Sequence, residues 1–306
     1  MKRFILLAIL VIATASCEKG VYVDYPVVGN ISITGISRNS STSSWYPGEQ
    51  IGVFVRSEGF PQNNLLYTPS ETCKDESIKV KGKLYHMYGI PVGNTVLNPY
   101  GEAVAFKHGE HTIYGYSPYN PDAKDITAVP MPDLTKQDNV SFVGNFTDPS
   151  LSFVWARKTI KEYTTANLAL GTFKNEDQSL NTGAISFSAH DLVGKKVTKV
   201  IISADKAIAY KNPTFNLMEG KINGEPSSIE VITDLEIVTA TFGAIETSDP
   251  VRFVVACSID DLKNTTFTFD AYIENDIYTC SAKPKVTEIS GFTIVSFEDL
   301  LNMVRK

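Results

Sequence analysis

The chain has 306 residues, 43% of them hydrophobic and 20% charged, with a formal net charge of −6. That length accommodates about two domains with real cores, and the acidic balance provides no basic surface for a nucleic-acid backbone. No block of like charges and no low-complexity tail marks a disordered region.

The start is basic (Met1-Lys2-Arg3), then apolar from Phe4 to Ala13, then Thr14-Ala15-Ser16-Cys17. The apolar run is shorter than the roughly 20 residues needed to cross a bilayer. A basic start, a short apolar centre and small residues at the cut read as a cleaved export signal over residues 1–16. The small side chains before Cys17 resemble a bacterial lipobox, in which the thiol is acylated and becomes the first residue of the mature chain. Two or three acyl chains would anchor the protein stably, as one would not. An ordinary secretory signal that happens to hold a cysteine is the alternative.

Residues 17–38 read as a tether and a first strand. Val27, Gly29, Ile31, Ile33 and Gly35 share one parity, and Asn30, Ser32 and Thr34 the other. That period of two marks a half-buried strand. The polar run from Ser37 to Ser44 follows and contains one arginine, Arg38. A strand joined to its domain by so soft a linker could be cut away and replaced.

Beyond it the chain reads as short strands between turns. Trp45-Tyr46-Pro47-Gly48-Glu49 is a turn and Ile51-Gly52-Val53-Phe54-Val55 an apolar strand. After a Gly/Pro/Asn loop to Asn64 come Leu65-Leu66-Tyr67 and an alternating stretch from Ser77 to Lys83. Ala103 to Phe106 and Thr112 to Tyr116 flank the turn Lys107-His108-Gly109-Glu110. Leu151, Phe153 and Trp155 share a parity, and from Arg157 to Thr182 the chain turns polar and reads as a connection. A second strand series then runs through Ala184–Ala189, Val197–Ser203, Ile229–Ile232, Glu236–Thr241, Val251–Cys257, Thr265–Tyr272, Ile277–Ala282 and Gly291–Phe297. Glu274-Asn275-Asp276 is a hairpin signal. Glu298 to Lys306 reads as a short helix or a frayed extension. Strands at this spacing predict an all-β fold of two sandwiches, with units at 39–180 and 181–306.

Signs of chemistry are few. His108 and His111 lie on a turn as His-Gly-Glu-His, but a closed zinc site needs four ligands, so solvated loop residues are expected. His86 reads as a half-buried strand or loop residue. No Gly-x-Ser-x-Gly, His-Glu-x-x-His or phosphate-binding glycine loop occurs. Asp260-Asp261 fits a turn, and no pair of carboxylates points to a glycosidase. Trp45, Tyr46, Tyr116 and Tyr119 read as packing residues before a sugar-stacking platform. Cys257 and Cys280 could pair, although buried free thiols are the better expectation. The chain reads as no enzyme, with no catalytic residue, no cofactor and no metal.

Several landmarks together resemble the fimbrillin superfamily, the lipoprotein precursors of type V pili. After Cys17, the run from Trp45 to Phe54 is similar to the family's "W..GD.IGVF" opening. Ile113-Tyr114-Gly115-Tyr116-Ser117-Pro118-Tyr119 resembles "FYAYYPY", and Asp148 to Ala156 resembles "DLLWA", with Pro149-Ser150 interrupting it. Ile185 to Leu192 is similar to "V.F.FKHALSKL", with Ala189 replacing the basic residue before His190, which the resemblance makes a structural landmark. The landmarks span most of the mature chain, and their order carries the weight.

The resemblance implies two tandem transthyretin-like Greek-key sandwiches and a precursor carried to the outer membrane through acylated Cys17. It also implies proteolytic removal of the lipidated N-terminal strand, and a groove filled by a strand from another pilin subunit, of the same or another kind. Val27 to Ser37 is then the removed strand, with Val27, Ile31 and Ile33 on its apolar parity, and Arg38 the cleavage point. Shaft subunits of the family donate a C-terminal strand, and Glu298 to Lys306 is short for that, so shaft and tip roles both stand. The alternative is a monomeric surface lipoprotein whose loops bind a host glycan or protein, with the first strand kept in its own sandwich.

Overall fold

The computed structural model describes residues 27–28, 31–34, 44–45, 50–69, 75–80, 83–89, 94–107, 109–138, 142–143, 146–147, 149–151, 153–161, 168–172, 184–187, 195–236, 239–242, 245–248, 251–256, 259–289, 292–296 and 302–306. Strands dominate it; among these residues the helical pieces are the α-helix Ile259–Asn264 and a single 3-10 turn, Pro149–Leu151. The protein is all-β.

Seven strands of the first half form one sheet, in the order Val154–Ile160, His111–Ser117, Ile51–Ser57, Gln62–Pro69, Asn94–Pro99, Ile31–Thr34, Leu168–Thr172. All neighbours are antiparallel except the last pair, which is parallel. Ile51–Ser57 lies third from one edge, and its first five residues are all buried. An unbroken apolar run suits a strand covered on both faces. One face carries Ile51, Val53, Val55, Leu65, Tyr67 and Ile113, closed by Val104 and Phe106. The other face carries Phe54, Tyr114, Tyr116 and Trp155.

The second half builds a six-stranded sheet in the order Lys136–Asp138, Ile229–Glu236, Lys196–Ala204, Phe267–Ile273, Asp276–Ala282, Val304–Arg305. A four-stranded sheet runs Val251–Val254, Ala184–Phe187, Phe292–Ser296, Lys285–Ile289, its central pair parallel. Val197, Val200, Ile202, Ile229, Val231, Phe267 and Phe269 of the larger sheet and Val251 and Phe253 of the smaller share one core. In Phe267–Ile273 the alternation of buried and half-buried residues is the pattern of a strand with one face inward.

The segment 126–138, which a division near residue 180 assigns to the first unit, is built into the sheets of the second half. Val129–Pro130 pairs with the strand Ala209–Asn216, and Lys136–Asp138 lies parallel to Ile229–Glu236. Gln137 fixes it there. Its Nε2 donates to Leu134 O at 2.9 Å and Val254 O at 2.8 Å, and its Oε1 accepts from Val254 N at 2.8 Å. One buried amide therefore bridges the six- and four-stranded sheets.

The structure corrects four readings. The polar stretch after Arg157 does not begin a connection: Val154–Ile160 continues through it as an edge strand, and Leu168–Thr172 is another. Charged residues are tolerated on an edge because one side of the strand faces water. Asp260-Asp261 lies in the helix Ile259–Asn264, not a turn, and Asp261 pairs with Lys206 at 2.7 Å. The residues after Met303 form the short strand Val304–Arg305 rather than a helix. Finally, Ala209–Asn216 and Lys221–Ser227 form a hairpin where no strand is expected.

Candidate functional site: the inserted N-terminal strand

The segment of greatest consequence is Val27–Thr34. Its alternation predicts a strand, and Ile31–Thr34 is one. It does not add to the outside of the sheet. It lies between Asn94–Pro99 and Leu168–Thr172, antiparallel to the first and parallel to the second. Ile31 stands opposite Leu97 on one side and Leu168 on the other, and Ile33 is opposite Thr95. Just before it, Val27–Val28 pairs with Ala105–Phe106, setting Val27 opposite Phe106. The alternation thus identifies the strand, but not that it separates two others.

This position has a physical consequence. Leu168–Thr172 ends the sheet, and its ladder partner there is Ile31–Thr34. Among the described residues, taking Ile31–Thr34 away leaves Asn94–Pro99 with one open side and Leu168–Thr172 with no ladder partner. Exposed ladder groups of that kind are templates for another strand.

The strap 103–106, whose Ala105–Phe106 is the ladder partner of Val27–Val28, is held independently of it. Val104 N donates to the Tyr67 hydroxyl at 2.6 Å, Ala105 N donates to Gln62 Oε1 at 2.9 Å, and Gln62 Nε2 donates to Ala103 O at 3.4 Å. Burial pushes the Tyr67 phenol upward, with the Val104 hydrogen bond pulling it back. Gln62 and Tyr67 belong to the strand Gln62–Pro69, so the strap has anchors of its own.

No family model matches the chain, and no curated protein does. A solved structure of a candidate cell adhesion protein from Bacteroides uniformis aligns with 92% of this chain and 97% of its own, at a TM-score of 0.45 and 11% identity. Likeness at that level fixes neither family nor function.

The other singled-out residues fall as follows. Cys17, Arg38, Tyr46, His108, His190 and Cys257 lie outside the described residues. His86 is within the strand Lys83–Gly89, opposite Ser77. His111 is not a solvated loop residue: it opens the strand His111–Ser117 and is 1% exposed. Its Nε2 donates to Lys107 O at 2.7 Å, its ring meets Phe106 edge-on, and Nδ1 is buried without a hydrogen-bond partner. A histidine closing a turn onto its own backbone is a packing residue.

Tyr116 also packs. It is fully buried, its hydroxyl donates to Asn64 Oδ1 at 2.7 Å, and Asn120 N donates to it at 3.2 Å. Tyr119 is half-buried against the same core, and Trp45 stands in a strand opposite Tyr88. Cys280 is a half-buried free thiol, so it is not disulfide-bonded to Cys257, and burial pushes its pKa up to about 11. Among the described residues no group of three or more His, Cys, Asp or Glu could hold a metal ion, and no helix is long and apolar enough to cross a membrane.

Proposed function

We propose that this chain is a structural subunit, shaft or tip, of a cell-surface fimbria of the type V kind. It is assembled by strand exchange after proteolytic removal of its lipidated N-terminal strand. The observation that supports this reading is the placement of Ile31–Thr34 between two strands of the same sheet, in a segment that the sequence ties to the body by a polar linker. In this reading the two halves are tandem transthyretin-like sandwiches, and acylated Cys17 holds the precursor at the outer membrane. Cleavage after Arg38 releases the strand, and a strand of a like or different pilin subunit takes its place. The function is polymerisation and display, without catalysis.

The magnitudes set what the incoming strand must supply. Each buried backbone group left unpaired costs about 1–3 kcal/mol, so restoring both ladders regains several. Association costs roughly 4–15 kcal/mol in lost freedom. Main-chain bonding alone does not secure a durable fibre, so the apolar parity represented here by Val27, Ile31 and Ile33 has to contribute, as it does where an added strand seats alternate side chains.

A chain beginning at Asn39, mixed with a synthetic peptide of residues 27–37, tests this. The peptide is expected to bind stably, and a version carrying Ile31→Asp and Ile33→Asp is expected to fail. Equal binding of both peptides, or of neither, contradicts the reading.

A further inference from the structure

The six-stranded sheet of the second half turns one face to the core it shares with Val251 and Phe253. Alternation fixes what the other face carries. Val200, Ile202, Val231, Phe267, Phe269 and Ala271 are buried in that core, so Ile201, Ile232, Tyr272 and Ile277 take the opposite parity. Val304 of the last strand stands opposite Thr279 on the same face. None of these five apolar residues belongs to a core among the described residues. Ile232 is 45% exposed and Val304 69%.

The five adjoin one another. Tyr272 stands directly opposite Ile277, and Ile201, opposite Glu230 and Asp270, is the diagonal neighbour of both Ile232 and Tyr272. Val304 is in turn diagonal to Ile277. Diagonal neighbours lie about 7–8 Å apart, within reach of long side chains. The five therefore form one band running from the second strand of the sheet to the last. Single exposed apolar residues are ordinary, whereas a connected band marks a docking surface.

The charges set into the band decide what covers it. Lys199 pairs with Glu230 at 3.5 Å and lies over the Tyr272 ring, 4.6 Å from its centroid. Lys306 pairs with Asp270 at 2.7 Å. On the first strand Lys136 and Asp138, opposite Glu230 and Ile232, add one charge of each sign. These two rows thus balance three cations against three carboxylates, in a chain whose net charge is −6. A strongly charged partner finds no field to match here, but a copy of the same face meets its own alternation of signs without repulsion.

From this pattern we propose that the outer face of the six-stranded sheet docks a second copy of this chain, face to face. A two-fold axis between the copies, parallel to the strands and midway between Lys196–Ala204 and Phe267–Ile273, brings the bands together. It lays Ile229–Glu236 of each copy over Asp276–Ala282 of the other and keeps each row over itself. Ile232 then meets Ile277 of the second copy twice, and each Lys199 overlies the strand that carries Tyr272 and Asp270. Aligned packing of two sheets about 10 Å apart allows this. With strands about 4.8 Å apart, the two rows cover roughly 24 Å by 10 Å, far short of the about 800 Å² per partner in a stable complex. One such contact is therefore weak, and it becomes effective where many copies are held side by side. None of its residues lies in Val27–Thr34, so the contact does not depend on the strand-exchange reading.

Sedimentation equilibrium of the folded chain that keeps Val27–Thr34 tests this, because strand exchange then cannot contribute. From about 1 µM to 1 mM, a monomer–dimer equilibrium with a dissociation constant of roughly 0.1 mM is expected. Ile232→Lys and Ile277→Glu each place an unpaired charge in the contact, and each alone is expected to raise that constant about tenfold or more. An equimolar mixture of the two variants is expected to return to the wild-type range. In the mixed pair the two introduced charges, of opposite sign, face each other, while the remaining Ile277 and Ile232 meet on the other side of the axis. Circular dichroism melts confirm that both variants fold. A wild type still monomeric at about 1 mM gives the face to a different occupant and overturns the proposal. So do folded variants that associate like the wild type, or a mixture no tighter than its separate components.

Discussion

At Gly52 a Cβ would come 2.1 Å from Tyr116 Cε1 and 2.4 Å from Cζ. The ring cannot retreat, because it stacks between Phe54 and Phe153 at 6.0 and 6.1 Å and its hydroxyl is tied to Asn64. Gly52→Ala is therefore expected to cost about 1–3 kcal/mol or more by overpacking, read as a lower urea midpoint with an unchanged slope. An unchanged midpoint would mean that the ring is not fixed there. Tyr67, Tyr114 and Tyr116 share a second property, since burial raises all three phenols. The folded chain then holds phenolic protons more tightly than the unfolded one. Their contribution is fully present below the unfolded value of about 10 and is lost as pH rises above it. Urea midpoints are expected to hold to about pH 9 and to fall as pH rises past about 10, less steeply in Tyr116→Phe; a flat profile above that pH would contradict this. Sequence showed Tyr116 as a packing residue, but not the hydroxyl partner 52 positions away.

Among the elements, what was legible depended on whether a strand carries its own pattern. Phe267–Ile273 and Asp276–Ala282 were evident from alternation and the intervening Glu274-Asn275, where Glu274 takes a positive φ of 51°. Ile31–Thr34 was evident for the same reason. Ala209–Asn216 and Lys221–Ser227 were not, because Lys211-Asn212-Pro213 and Glu225-Pro226 break the period, and a bulge at the former absorbs the break. Nor was Lys136–Asp138, a three-residue strand whose identity comes from a partner almost a hundred positions later. Gln137 is the polar residue that makes that strand necessary. Replacing it with leucine would leave Val254 N and O unpaired in the core, at a cost of roughly 2 kcal/mol or more. Hydrogen exchange is expected to show lost protection at Val254 in Gln137→Leu; retained protection would mean that other groups hold the bridge.

On the scale of the molecule, the third core decides how the halves behave. Trp155 in the first sheet and Phe153 just before its edge strand meet Phe215 from the 209–227 hairpin at 5.3 and 5.2 Å between centroids, and Leu217 N donates to Ile126 O at 3.0 Å. Aromatic contacts of this kind add to the burial of large side chains, so the halves share packing instead of hanging on a linker. A boundary near residue 180 follows from the polar stretch in the sequence. The shared core is not legible there, because Ile126, Val129 and Phe215 are apolar residues with no local period linking them.

Under the proposed function, Val27–Thr34 is a temporary part of the chain. N-terminal sequencing with intact mass of the protein taken from its native cell surface tests it directly. A chain beginning at Asn39 and carrying no lipid is the predicted result. A chain still beginning at acylated Cys17 would contradict strand exchange and leave a surface lipoprotein that keeps its own first strand.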